Sequence, residues 1–235
     1  MQYRVLDEFR RLFDGTQYRH RRSNLGDAVA VQFYEDLVQI ERSEKLVRRV
    51  DLRTRVVNIA NLRIGVRARR GDGTFGEIIP GEEAVTEPGY RVARGPVATV
   101  EIGVEVKILA KAMIKQIDRV MSDLEKQIAH FKKGGGDPLC VAIVGINHAD
   151  YTVSYEGERA YRTDGRHNRH PVQEAREAES RLIEEVAPRF DEFIVLKYRA
   201  TNEPPFPFEW VNYQETTRVY GSSLVRISRE YERRF

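Results

Sequence analysis

The chain carries one cysteine, Cys140, among 235 residues. A lone thiol excludes an internal disulfide framework and any zinc site built on paired cysteines, so the fold must be held by its apolar core. No stretch approaches the roughly 18 consecutive apolar residues of a membrane helix. Met1-Gln2-Tyr3-Arg4 leads into a charged segment rather than a signal-peptide core, and a soluble cytoplasmic protein with no membrane partner is expected. No lysine follows a glycine, which removes the Walker-type phosphate loop. No G-x-G-x-x-G joins a strand to a helix, the setting a dinucleotide fingerprint needs. H-E-x-x-H and G-x-S-x-G are absent as well. The five histidines are scattered, and His167 and His170 fall in a polar loop, where they read as solvated side chains. No repeat, low-complexity tract or linker marks a second domain, so one α/β domain over 1–235 is expected.

Charge is nearly balanced, with 39 basic and 36 acidic residues and a net of +3. Its make-up is lopsided: 31 of the basic residues are arginine and 8 are lysine. Arginine supplies the planar fork that grips phosphate with two hydrogen bonds. An arginine-rich genome gives the same bias, so composition alone names no partner.

Helical spacing of Val5, Leu6, Phe9, Leu12 and Phe13 predicts a short amphipathic helix. After a basic connector over 18–24, one long helix is expected from Ala28 through Leu46. From Thr54 the texture turns to β, with Val56, Val57, Ile59, Leu62, Ile64 and Val66, then a glycine turn at 71–73 into a second strand over 74–79. Residues 80–89, with Glu82, Glu83 and Glu87, read as an exposed acidic loop. Val97 to Leu109 is the strongest β signal, nearly continuous and β-branched, and predicts a central strand. A 3.6-residue pattern from Met113 to Phe131 follows, closed by Lys132-Lys133-Gly134, and then a buried strand over 139–146, so a βαβ unit with parallel strands is expected. The last third reads as a weak strand over 151–155, a helix from Pro171 to Val186, a strand from Phe190 to Tyr198, a proline-rich turn at 204–208 and a helical tail over 216–234.

Glu105-Val106-Lys107 is the informative spot. Residues two apart in a strand share a face, so an acid and an amine stand side by side in the most apolar strand of the chain. Burying even a paired charge costs several kcal/mol of desolvation, so a site explains the pair better than stability does.

With that pair in the third strand of a helix, meander, crossover helix and strand order, the sequence resembles the restriction-endonuclease-like superfamily, the PD-(D/E)XK nucleases. The resemblance covers a core of about 24–146, with 147–235 as a C-terminal elaboration, and implies a mixed central sheet flanked by helices. It implies a metal-dependent endonuclease hydrolysing DNA phosphodiesters, of a restriction or defence system, with a catalytically silent nucleic-acid-binding or assembly protein of the same fold as the alternative. Glu105 would ligate Mg²⁺, for which Mn²⁺ would substitute, and Lys107 would steady the attacking water or the developing charge. The family's second acid falls first to Asp72, where Gly71 stands in place of the family's proline, with Glu101 and Glu87 as rivals. Glu101 shares parity with Glu105 unless the strand bulges, and Gly103 is where a bulge would fit. Glu35 and Gln116 are the accessory candidates by position. Arg21, Arg22, Arg69 and Arg70, with Arg19 and Arg67, suit DNA backbone contacts. Sequence recognition would fall to the aromatics Tyr151, Tyr155, Tyr161, Trp210 and Tyr213. A homodimer is the geometric expectation for breaking both strands.

Overall fold

The computed structural model describes residues 2–19, 25–58, 72–111, 113–156, 158–165 and 170–235. In chain order these form α1 (Arg4–Arg11), α2 (Leu25–Gln39), α3 (Glu44–Asp51), β1 (Arg55–Asn58), β2 (Gly73–Ile78), β3 (Arg94–Gly95), β4 (Val97–Leu109), α4 (Met113–Lys132), β5 (Leu139–Asn147), β6 (Thr152–Glu156), β7 (Arg159–Thr163), α5 (Pro171–Arg181), β8 (Glu192–Ala200), β9 (Phe208–Trp210) and α6 (Tyr213–Arg234). Seven strands make one mixed sheet in the order β3-β1-β2-β4-β5-β8-β9, and β6 and β7 pair separately as a hairpin. The β1–β2–β4 part is an antiparallel meander, whereas β4, β5 and β8 run parallel.

Helices cover both faces, as a buried parallel segment requires. Alternate residues of β5 divide between them: Val141 and Ile143 join Phe9, Phe33, Leu37 and Tyr220 on the α1, α2 and α6 side, while Ala142 and Val144 join Ile117, Leu124 and Phe131 on the α4 and α5 side. In β4, Val104 and Val106 belong to the first layer. Gly103 backs onto α4 so closely that a β-carbon there would lie 2.4 Å from the Phe131 ring. Glu105 and Lys107, two and four residues on, therefore face the α4 side as well.

Two polar side chains fasten this frame from within. The Asp36 carboxylate of α2 accepts the Arg4 and Val5 N–H groups at 2.7 and 3.0 Å and the Tyr220 hydroxyl at 2.9 Å, so it caps α1 from a neighbouring helix. Asn147, buried at the end of β5, donates to the Ala110 and Ala200 carbonyls at 3.2 and 2.7 Å and accepts from the N–H groups of Ala149 and Ala200. It thereby joins the C-terminal ends of β4, β5 and β8.

The expected long helix through Leu46 is two helices. The chain breaks over 40–43, where Glu41 adopts a φ of 50° and the Ser43 hydroxyl accepts the Leu46 N–H at 3.1 Å to start α3. The helix expected to reach Val186 is regular only to Arg181 and then widens for one turn. The segment after the proline-rich turn supplies β9 on the edge of the sheet. Most of the first expected strand beyond Asn58 lies outside the described residues. Among the described residues no helix is long and apolar enough to cross a membrane.

Candidate active site

β2 pairs with β4 from Ile78 opposite Val97 to Gly73 opposite Val104. Beyond that point β4 keeps β5 on one side, as far as Leu109 opposite Ile146. On the other side the Val106 N–H donates to the Asp72 side-chain Oδ2 at 2.8 Å. A carboxylate thus takes the donor that a further strand residue would have taken. The first turn of α2 closes on the same carboxylate: a β-carbon on Gly26 would lie 2.5 Å from Asp72 Cγ. Asp72 is therefore set by three elements: the start of β2, the backbone of β4 and the positive end of α2.

Glu105 is 6% exposed, and its Oε1 accepts the Lys107 ammonium at 2.6 Å. Its other oxygen, Oε2, is buried without a hydrogen-bond partner among the described residues. Burial raises the Glu105 carboxyl to about 7, the negative charge of Asp72 adds to the rise, and the Lys107 ammonium opposes it. Two carboxylates close enough to repel, one with an idle buried oxygen, form a site that a proton or a cation would relax.

A polar pocket of about 280 Å³ opens there. Asp72 and Lys107 line it from the sheet, and Gln116, Arg119 and Asp123 line it from α4, with Tyr18 and Gly26 at its α2 end. Asp72, Lys107 and Gln116 are thus brought together, with Glu105 held to Lys107. Tyr18, Gly26, Arg119 and Asp123 escaped the sequence reading. For the last two the signal was available, since positions 116, 119 and 123 fall on one helical face.

Other candidates lie elsewhere. Glu35 is 3% exposed and accepts the Arg91 and Val92 N–H groups at 3.0 and 2.8 Å, anchoring the connection between β2 and β4 to α2. Glu101 does not share a face with Glu105. The register slips between Phe75 and Gly76, so that Ile102 and Val100 pair while Glu101 is extra. This bulge, two residues before the expected Gly103, turns Glu101 to the α6 side, where Tyr231 donates to it and Arg55 Nε donates at 2.5 Å. Glu87 is paired with Arg94 at 3.6 Å on the surface. Trp210 packs against Phe9 and Phe208, and Arg162 lies over the Tyr151 ring; Tyr161 and Tyr213 are exposed. Arg21, Arg22, Arg67, Arg69, Arg70 and His167 lie outside the described residues.

Among the described residues no group of three or more histidine, cysteine, aspartate or glutamate side chains converges as a ready-made metal cage. Two carboxylates are nonetheless the donor type a hard cation takes when it keeps waters in its shell, and the idle Oε2 of Glu105 is such a donor, so the residues fit Mg²⁺. No family model matches the chain, and neither a curated protein nor a solved structure does.

Proposed function

We propose that this chain is a divalent-metal-dependent phosphodiesterase acting on DNA, an endonuclease of the restriction or defence kind with a restriction-endonuclease-like fold. One juxtaposition carries the reading: Asp72, 33 positions before Glu105 in the sequence, raises the Glu105 carboxyl through its charge and lines one pocket with Lys107. A structural ion pair has no need of a second acid beside it. The order of α2, the β1–β2–β4 meander, α4 and β5 supports the same reading at the level of fold.

Asp72 and Glu105 would hold Mg²⁺, or Mn²⁺ in its place. Such an ion, when bound, supplies a water of lowered pKa and positive charge for a pentavalent phosphorus centre. Lys107, steadied by Glu105, directs its remaining N–H donors into the pocket, toward the attacking water and the developing negative charge. Gln116 offers an amide donor and acceptor to orient the substrate from α4. A homodimer would carry two such sites for the two strands of a duplex.

The test is nicking of a supercoiled plasmid in Mg²⁺, in Mn²⁺ and in EDTA, comparing the wild type with Glu105→Ala. Cleavage that needs the metal and disappears in the variant is the expected result. Equal cleavage by both proteins, or none by either, overturns the reading.

A further inference from the structure

Arg119 stands three residues beyond Gln116 on α4 and lines the same pocket as Asp72 and Lys107. Among the described residues its guanidinium makes no hydrogen bond or ion pair. Some arginines of the described surface are held by acids, as Arg91 by Asp51 and Arg181 by Asp118, and others such as Arg42 and Arg229 are not; what sets Arg119 apart is its place in the pocket. An acid is within reach in sequence, because Asp123 follows at the i+4 spacing at which helical ion pairs form. Asp123 has a partner other than Arg119, and the fork is left to the pocket.

The other charges of the pocket already have one phosphate to serve. Asp72 and Lys107 line its sheet side, with Glu105 bonded to Lys107, where the scissile phosphodiester would sit. The pocket, of about 280 Å³, extends from that sheet side to α4, where Gln116, Arg119 and Asp123 line it. A permanently charged planar fork on the far wall matches two non-bridging oxygens of a second phosphate.

We propose that Arg119 clamps the phosphodiester adjoining the scissile one, so that the substrate is a strand with at least two consecutive phosphodiester linkages rather than an isolated phosphodiester. This rests on the nuclease reading above and adds to it a substrate requirement and a positioning residue. The clamp is absent when the substrate offers no neighbouring phosphate.

Two measurements test it. Binding of a fluorescent oligonucleotide duplex, followed by anisotropy across a salt series in EDTA, should weaken about tenfold in Arg119→Ala. The slope of log K against log salt should become shallower by about 0.9, the value of one phosphate contact. Arg176→Ala, which removes the same charge from the exposed face of α5, should leave the slope unchanged, and Arg119→Lys should restore the slope but only part of the affinity. In the second measurement, Arg119→Ala should slow cleavage of an oligonucleotide by a larger factor than it slows hydrolysis of bis(4-nitrophenyl) phosphate, which has one phosphodiester. A slope in Arg119→Ala equal to that of Arg176→Ala, or an equal loss on both substrates, overturns the clamp. Failure of the wild type to cleave either substrate strikes the nuclease reading itself, separately from the slope.

Discussion

Gly26 and Asp72 touch so closely that a β-carbon on the glycine would lie 2.5 Å from the aspartate's carboxyl carbon. The first turn of α2 is therefore a wall of the candidate site, and the absence of a side chain at position 26 sets where the carboxylate rests. Gly26→Ala should displace Asp72 and cut metal-dependent cleavage at least tenfold, with a stability loss of about 1–3 kcal/mol from the clash. Plasmid nicking and urea titration of the same preparation separate the two effects. Cleavage at the wild-type rate would mean that the position of Asp72 is immaterial.

Asp72 and Glu101 are rivals for the second acid, and their surroundings set them apart. Asp72→Asn should abolish cleavage. Glu101→Gln should leave cleavage by the folded protein intact but destabilise it by about 3 kcal/mol, because Arg55 and Arg49 lose a buried counter-charge. Denaturant unfolding together with nicking decides between them. Loss of cleavage in a folded Glu101→Gln protein would reassign the acid.

The raised carboxyl of Glu105 gives a signed dependence on pH. Its value moves from 4.5 to about 7 on folding, so the folded state holds this proton more tightly than the unfolded chain. Stability from this group is full below about pH 4.5 and is lost as the pH rises to 7, by at most about 1.4 kcal/mol per pH unit. Asp36, raised to about 6 by burial against the pull of its hydrogen bonds, slopes the same way, so the group is read by difference. Glu105→Gln should flatten the curve between pH 5 and 7. Mg²⁺ should stabilise the wild type above pH 7 and leave the variant unmoved. Parallel melting curves for both proteins across pH 5–7 would contradict the placement of the shift.

Lys107→Met removes the ammonium that opposes protonation of Glu105. The expected outcome is loss of cleavage with the fold retained, since an apolar side chain of similar length replaces one partner of a buried pair and the remaining acid can take a proton. Circular dichroism checks the fold and nicking the activity. Full activity would return the pair to a structural role.

Asp36→Asn should cost about 2–4 kcal/mol without touching chemistry. An amide keeps one acceptor where the carboxylate serves the first two N–H groups of α1 and the Tyr220 hydroxyl. Unfolding in urea measures the loss, and an unchanged midpoint would contradict the capping role.

The β4–α4–β5 unit was legible because its signals are long: thirteen residues of β4 and twenty of α4 repeat one period each. Glu105 and Lys107 followed from strand parity in that same run. Parity failed at Glu101, where a bulge facing Phe75 and Gly76 adds a residue without a glycine of its own to announce it. The end of α2 was hidden because apolar spacing continues across 40–43, although Ser43 just ahead of Glu44 and Leu46 was a capping signal. The long interval between Asp72 and Glu105 has a local cause: the connection from Ile78 to Val97 runs out over α2 and is pinned by Glu35 through two backbone N–H groups. A side chain serving as a distant anchor leaves no periodic trace in a sequence.

Asn147 separates scaffold from ornament. Because one amide laces three parallel strand ends together, the segments that depart from that rim, including the β6–β7 hairpin, start from fixed points. Descendants of this chain can lengthen, shorten or exchange those segments to meet new targets while the strand bearing the reactive pair keeps its aim.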